Sequence, residues 1–277
     1  MAQMLTGRVA LVTGAGSPRG LGRAMALALA GAGARVGIAD VDEAAARTVA
    51  AEAEALGGKG SALAVRVDTS DPAQAHAAVD AAIAGLGGLH VLVNCAGINP
   101  HTVHGATEPL SYWKDAPAVW ERVLAVNLNG YFHMAHAATP YLLAQGWGRI
   151  VSVTTSFDTM IRGETSPYGP AKAGCEALAS VMAADLAGTG VTSNVLVPGG
   201  ATDTNMVKAP PEFDRSRLLR PEVMGEPVVW LASDEADGFN GQRIIGAAWD
   251  GRLGLEERLA RCAAPAAWPQ LGRRNRR

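Results

Sequence analysis

Val9-Ala-Leu-Val-Thr13-Gly-Ala-Gly-Ser-Pro-Arg-Gly-Leu-Gly22 decides the fold of this 277-residue chain. A short apolar run breaks into glycines, and an alanine-rich helical stretch follows to Ala30. Gly14, Gly16, Gly20 and Gly22, with Arg19 and Leu21 between and beside them, form a turn where backbone can approach a pyrophosphate. The N-terminus of the following helix attracts its charge. The next apolar run, Ala34-Arg-Val-Gly-Ile-Ala39, ends at Asp40 and passes into a helix to about Leu56. Further strands follow at 62–67, 91–93, 150–153 and 195–197, separated by helices ending near Leu86 and Leu143 and by one from about Ser166 to Leu186. The strands are continuous apolar runs rather than alternating ones, which marks a parallel sheet covered on both faces. No linker or low-complexity segment interrupts the rhythm. The expectation is one doubly wound α/β domain over 1–250, with an extension at 251–277 whose basic end is a flexible tail.

Composition narrows the function. Nearly half of the residues are apolar but only 5% are aromatic, which suits close packing of small helices on a sheet. A net charge of −2 gives no reason to expect nucleic acid. No apolar run approaches the ~20 residues that span a bilayer. The N-terminus enters the first strand without a signal-peptide apolar region. Cys95, Cys175 and Cys262 are odd in number and widely spaced, fitting neither a disulfide framework nor a zinc pattern. A cytoplasmic protein is expected.

Tyr168-Gly-Pro-Ala-Lys172 carries the chemistry. Four residues apart on a helix, tyrosine and lysine share one face. A nearby ammonium favours phenolate and brings a phenol with a normal pKa of about 10 toward neutral exchange. If Ser166 caps this helix and Pro167 is its first residue, Pro170 falls in the first turn, where its missing N–H has no intrahelical acceptor. Thr155 stands 13 residues before Tyr168, at the end of the strand-like stretch from Arg149 to Ser156.

Asp40 is placed to accept hydrogen bonds from an adenosine ribose, worth about 1.5–3 kcal/mol for a charge-assisted bond. Its carboxylate repels a 2′-phosphate, favouring NAD over NADP, while Arg19 pulls toward NADP. Asp42 is the better cap for the helix that follows. Asp68 is placed to meet the adenine amino group or to cap the helix near Asp71-Pro72. Asn94-Cys-Ala-Gly97 ends the fourth strand with small residues, Ala96 and Gly97, where a cofactor can lie close; Asn94 otherwise bonds neighbouring backbone.

Together these residues resemble the classical short-chain dehydrogenase/reductase family over roughly residues 5–250. The resemblance rests on the glycine turn, Asp68, Asn94–Gly97, Asn127, Thr155/Ser156, Tyr168, Lys172 and Pro198-Gly199. It implies a seven-stranded parallel sheet, nicotinamide-dependent interconversion of a secondary alcohol and a ketone, and assembly as a homotetramer or homodimer. Tyr168 then serves as general acid/base, Lys172 holds the nicotinamide ribose, and Thr155 or Ser156 orients the substrate oxygen. Asn127 holds a water leading from Lys172 to solvent or is a structural amide; Thr202 or Thr204 bonds the carboxamide or pyrophosphate. This sequence departs from the family pattern in four places. The turn has two extra residues between Gly14 and Gly20, Cys95 replaces an asparagine, Thr155 replaces the catalytic serine, and the last strand reads Arg243-Ile-Ile-Gly-Ala-Ala-Trp-Asp250.

Three other readings compete: an NADPH-preferring carbonyl reductase, a nucleotide-binding scaffold without catalysis, and a metal-dependent hydrolase. The scaffold conflicts with retention of both Tyr168 and Lys172. The hydrolase needs three converging ligands, and no acid accompanies His101/His104 or His133/His136. The segments at 99–116, with Tyr112 and Trp113, and at 205–222, with Met206, Pro210-Pro211 and Phe213, are expected to form the substrate wall and lid. Trp249 and Trp268 either reach a neighbouring subunit or pack on the surface.

Overall fold

The computed structural model describes residues 3–104, 111–207 and 213–271. The chain alternates β1 (Val9–Thr13), α1 (Leu21–Gly31), β2 (Arg35–Asp40), α2 (Glu43–Gly57), β3 (Ala62–Arg66), α3 (Pro72–Leu86) and β4 (Val91–Asn94). The short α4 (Pro100–His104) precedes α5 (Pro117–Leu124), a π-turn over Ala125–Asn129 and α6 (Gly130–Ala144). Then come β5 (Gly148–Val153), α7 (Phe157–Ile161), α8 (Tyr168–Asp185), β6 (Val191–Val197), α9 (Gly225–Leu231), β7 (Gln242–Ile245), α10 (Leu255–Cys262) and β8 (Ala263–Pro265).

The sheet runs β3-β2-β1-β4-β5-β6-β7-β8. Seven strands are parallel as expected, and β8 adds an eighth, antiparallel to β7 at the edge. An eighth strand had no signal in the sequence, because three residues ending in proline are too few for a periodic pattern. An edge position tolerates that proline. β7 stops at Ile245 rather than running on to Asp250. The chain turns at Gly246, where a Cβ would lie 2.7 Å from the Val223 carbonyl oxygen.

Successive strand residues serve opposite layers. Ala10, Val12, Val91, Val93 and Val151 pack with Met25, Leu29, Val49 and Val228 of α1, α2 and α9. Leu11, Leu92 and Ile150 pack with Ala75, Val79, Met134 and Leu142 of α3 and α6. Both sets are apolar, so the strands read as continuous runs.

Local chemistry starts the helices where the sequence predicts, with one shift. Asp42 caps α2 by accepting from Ala45 N, and Asp71 caps α3 with Pro72 behind it. α8 begins at Tyr168, not near Ser166, and Pro167 occupies the cap position. Pro170 is still inside the first turn, so the reasoning that makes it tolerable holds. β1 pairs with β2 on one side and β4 on the other, so strand order reverses there and opens a crevice at the carboxyl ends.

Candidate active site

A cleft of about 1030 Å³ occupies that crevice. Its lining joins the two ends of the predicted site. At one end are Gly14, Gly20, Leu21, Gly22, Asp40, Asp68, Ala96 and Gly97; at the other are Thr155, Ser156, Tyr168, Lys172, Pro198, Gly199, Thr202 and Thr204. Gly16, Arg19, Asn94 and Asn127 are not on its wall.

The cofactor end fits a dinucleotide on its own geometry. Gly14 has φ +65°, and a Cβ there would come within 2.7 Å of Ala96 Cα. A side chain would therefore wedge apart the carboxyl ends of β1 and β4. Thr13 ties these ends together, its hydroxyl accepting from Cys95 N at 3.0 Å and Ala96 N at 3.1 Å. α1 starts at Gly20 with no side-chain cap and no acid in its first turn, so its amides are left for an anion in the cleft. Asp40 accepts from Gly16 N at 2.8 Å and Asp42 N at 3.1 Å, which fixes its carboxylate at the rim. That contact ties Gly16 to the end of β2. Arg19 donates to Asn205 at 3.1 Å and lies 3.9 Å from Asp203. Asn205 in turn donates to Ser17 at 3.1 Å. The two extra turn residues thus reach across to the segment after β6.

Asp68 is paired with Arg122 at 3.0 Å and accepts from Ser70, and these contacts hold its carboxyl below the ordinary value despite burial. It stays on the cleft wall, while capping falls to Asp71. Asn94 is fully buried and donates to the Tyr131 carbonyl at 3.2 Å, so it bonds neighbouring backbone. Thr202 spends its hydroxyl on the Gly200 carbonyl, 3.0 Å away.

At the other end Tyr168 opens α8, and Lys172 lies one turn on. Lys172 Nζ is 5.9 Å from the Tyr168 ring centre. It donates instead to the Tyr131 hydroxyl at 2.7 Å and the Val153 carbonyl at 2.9 Å. Burial pushes the Tyr168 phenol above its ordinary value, with Cys95 and Cys175 adding to the shift. The expected lowering by Lys172 is not among these causes; lost solvation sets the direction. Burial also lowers the Lys172 ammonium and pushes the Cys95 thiol up to about 12.

Asn127 sits in the π-turn, fully buried, and grips Ile98 through both backbone groups at 2.8 Å each. Its side-chain amide thus ties the π-turn to the loop that follows β4. The Ser156 hydroxyl caps α7 and bonds Thr159 Oγ1 at 2.8 Å. The Thr155 hydroxyl has no hydrogen-bond partner among the described residues, whereas its carbonyl accepts from Arg243 at 2.8 Å.

That arginine belongs to a brace. Glu176, one turn beyond Lys172 and fully buried, is ion-paired with Arg243 of β7 and accepts from Thr154 Oγ1 at 2.9 Å and Ala267 N at 3.4 Å. Trp268 packs on Phe157 with ring centres 5.0 Å apart. The segment after β8 therefore covers the corner that presents Thr155 and Ser156. Sequence reading missed Glu176, Tyr131 and Asp115. Asp115 lines the cleft with both carboxylate oxygens buried and without a hydrogen-bond partner among the described residues. The available signal was helical spacing: Glu176 follows Lys172, and Tyr131 follows Asn127, by four residues.

Tyr112 and Trp113 are exposed and off the cleft wall, contrary to expectation. His101, Met206 and Val207 are on it, and Phe213 is not. Pro210-Pro211 and the basic end at 272–277 lie outside the described residues, as does the His104 side chain. Trp249 packs on Trp230 of the same chain, 5.5 Å between ring centres. His133 bonds the Thr69 carbonyl and His136 packs against His76 and Phe132. Among the described residues no group of three or more His, Cys, Asp or Glu could hold a metal ion, and no helix is long and apolar enough to cross a membrane.

Comparison with known proteins agrees with this geometry. A family profile described as short chain dehydrogenase matches residues 8–214. A cyclohexanol dehydrogenase from Acinetobacter sp. is 35% identical over 253 residues, covering 88% of this chain and 95% of its own. The 2,5-dichloro-2,5-cyclohexadiene-1,4-diol dehydrogenase LinX of Sphingobium indicum is 33% identical over 249 residues, covering 87% of this chain and 95% of its own. Among solved structures, 3-ketoacyl-(acyl-carrier-protein) reductase from Brucella melitensis complexed with NADH superposes with a TM-score of 0.73 at 32% identity, covering 84% of this chain and 93% of that one. The cleft, its nucleotide-ready turn and its tyrosine–lysine pair thus stand in a chain that belongs to the classical short-chain dehydrogenase/reductase family, NAD(P)-dependent oxidoreductases acting on an alcohol/ketone pair.

Proposed function

We propose that this enzyme uses NAD in preference to NADP and interconverts a cyclic secondary alcohol and its ketone, with Tyr168 as general acid/base. One observation carries the reading: Tyr168, Lys172 and Thr155 share a single cleft with Asp40 and the uncapped start of α1. Asp40 supports NAD because its charge, held at the rim, opposes a 2′-phosphate. Arg19 does not offset it, being engaged with Asn205 and close to Asp203. Two relatives, the cyclohexanol and the cyclohexadienediol dehydrogenases, are named for cyclic alcohols, which supports the substrate class.

When bound, the nicotinamide accepts or supplies the hydride. The protein's own part is proton transfer and positioning. In oxidation Tyr168 takes the hydroxyl proton, and in reduction it returns one. The Thr155 hydroxyl, free of other partners, orients the substrate oxygen, and Ser156 holds the corner through its cap. Lys172 has one N–H left for the cofactor ribose after its two recorded bonds. A homotetramer or homodimer is the proposed assembly.

The test is Tyr168→Phe, assayed with cyclohexanol and NAD. Turnover should fall at least ~10²-fold, the lower end for general acid–base catalysis, while NADH affinity stays within about threefold. A variant as fast as wild type would remove Tyr168 from the reaction.

A further inference from the structure

The partners of Lys172 identify a residue that the family motif does not include. Tyr131, on α6, is 1% exposed. Its hydroxyl donates to the Val153 carbonyl at 2.9 Å, and Lys172 Nζ donates both to that carbonyl at 2.9 Å and to Tyr131 Oη at 2.7 Å. Proton counting fixes the roles in this triangle. A carbonyl only accepts, so the single Tyr131 proton is spent on Val153, and toward Lys172 the phenolic oxygen accepts. Two of the three ammonium N–H groups are thereby committed to α6 and β5. The third is left for the cleft that Lys172 lines, beside Gly97, where an added Cβ would lie 3.6 Å from Nζ.

Among the described residues no anion stands beside Lys172 to offset desolvation. The groups acting on it are the thiols of Cys175 on its own helix and Cys95 after β4. Burial pushes these up to about 11 and about 12, and it raises the Tyr131 phenol as well, so all three stay neutral near pH 7. Tyr168, on the same face, is raised too. Glu176, one turn on, is neutralised by Arg243. What remains to stabilise the ammonium is two oxygen acceptors, one of them from Tyr131.

Building on the acid–base reading above, we propose that Tyr131 is a positioning residue: its hydroxyl keeps Lys172 charged and aims the remaining N–H at a ribose hydroxyl of the nicotinamide cofactor. Loss of that acceptor removes a hydrogen bond to a charged group, so Lys172 releases its proton at lower pH and points less well.

The test is Tyr131→Phe, which keeps the ring. In the protein without cofactor, ¹H–¹⁵N spectra of lysine side chains should show a protected Lys172 ammonium signal, assigned by its loss in Lys172→Met. That signal should vanish or titrate at lower pH in Tyr131→Phe. NADH affinity and kcat/KM should each fall roughly tenfold, and the alkaline limb of the kcat/KM profile should move to lower pH. An unchanged ammonium signal, NADH affinity and pH profile would overturn the proposal and leave Tyr131 as core packing. Should Tyr131→Phe not fold, 3-fluorotyrosine at 131 keeps the shape with a weaker acceptor and must shift the same limb in the same direction; no shift overturns the proposal. Tyr168→Phe run in parallel separates the two ideas. If it retains turnover, the acid–base reading fails. If it is inactive while Tyr131→Phe matches wild type throughout, only the Tyr131 assignment fails.

Discussion

Removing Arg243 and Glu176 together should cost this protein far less than the sum of removing each alone. The Glu176 side chain is fully buried and that of Arg243 only 12% exposed. In Arg243→Met the carboxylate keeps two weaker donors, Thr154 Oγ1 at 2.9 Å and Ala267 N at 3.4 Å, but loses its counter-charge. Breaking a buried pair from one side costs about 3–5 kcal/mol. At roughly 2–4 °C per kcal/mol for domains approaching this size, the melting temperature should fall by about 6–20 °C. Replacing both partners with apolar side chains of similar volume is often neutral. Here Thr154 Oγ1 and Ala267 N would lose an acceptor, each costing about 1–3 kcal/mol where the group stays buried. Glu176→Leu/Arg243→Met should therefore be at least ~2 kcal/mol more stable than the sum of the two single changes implies. The assay is a double-mutant cycle by denaturant unfolding. Because Arg243 also holds the Thr155 carbonyl, the double variant should fall short of the summed stability loss while turnover stays depressed. A single variant within 1 kcal/mol of wild type, or costs that simply add, would refute the brace.

Three further outcomes follow from the same geometry. Thr155→Val should lower kcat by about 10²-fold at unchanged melting temperature, the effect of losing one oxyanion-type donor, whereas Ser156→Ala should cost about 1 kcal/mol of stability through the lost α7 cap and leave kcat nearly intact; the reverse pattern would assign the orienting hydroxyl to Ser156. Asp40→Asn keeps an acceptor for Gly16 and Asp42 but removes the charge, so parallel NADH and NADPH titrations should show the preference for NADH narrowing at least tenfold, and an unchanged ratio would clear Asp40 of that role. Burial raises the Tyr168 phenol, so the base form grows with pH: kcat/KM for alcohol oxidation should climb about tenfold per pH unit between pH 6 and 9 while ketone reduction stays flat there, and a flat oxidation profile would contradict the raised phenol.

The sequence was most legible where chemistry is local. Asp42 caps its helix as its side chain dictates, and the apolar runs became strands because each must bury both faces. Tyr168 and Lys172 share a face by helical geometry alone. Long-range partners were not legible. Nothing near Arg19 announces Asn205, 186 residues away, nor does anything near Glu176 announce Arg243. Asn94 looked available for a cofactor until the α6 backbone at Tyr131 claimed its amide. β8 escaped because its pairing is supplied by β7 rather than by any pattern within three residues.

By itself, then, the sequence determined the alternation of strand and helix, the nucleotide turn and the tyrosine–lysine pair, since propensity, capping and burial period act over a few residues. Only the tertiary structure decided what those groups touch. Lys172 faces Tyr131 and Val153 rather than Tyr168, Arg19 reaches Asn205, and Thr155 keeps its hydroxyl free while Ser156 does not. A hydrogen bond forms with whatever the packed layers bring within about 3 Å, and lost solvation, which raises the Tyr168 phenol, exists only once those layers close around it.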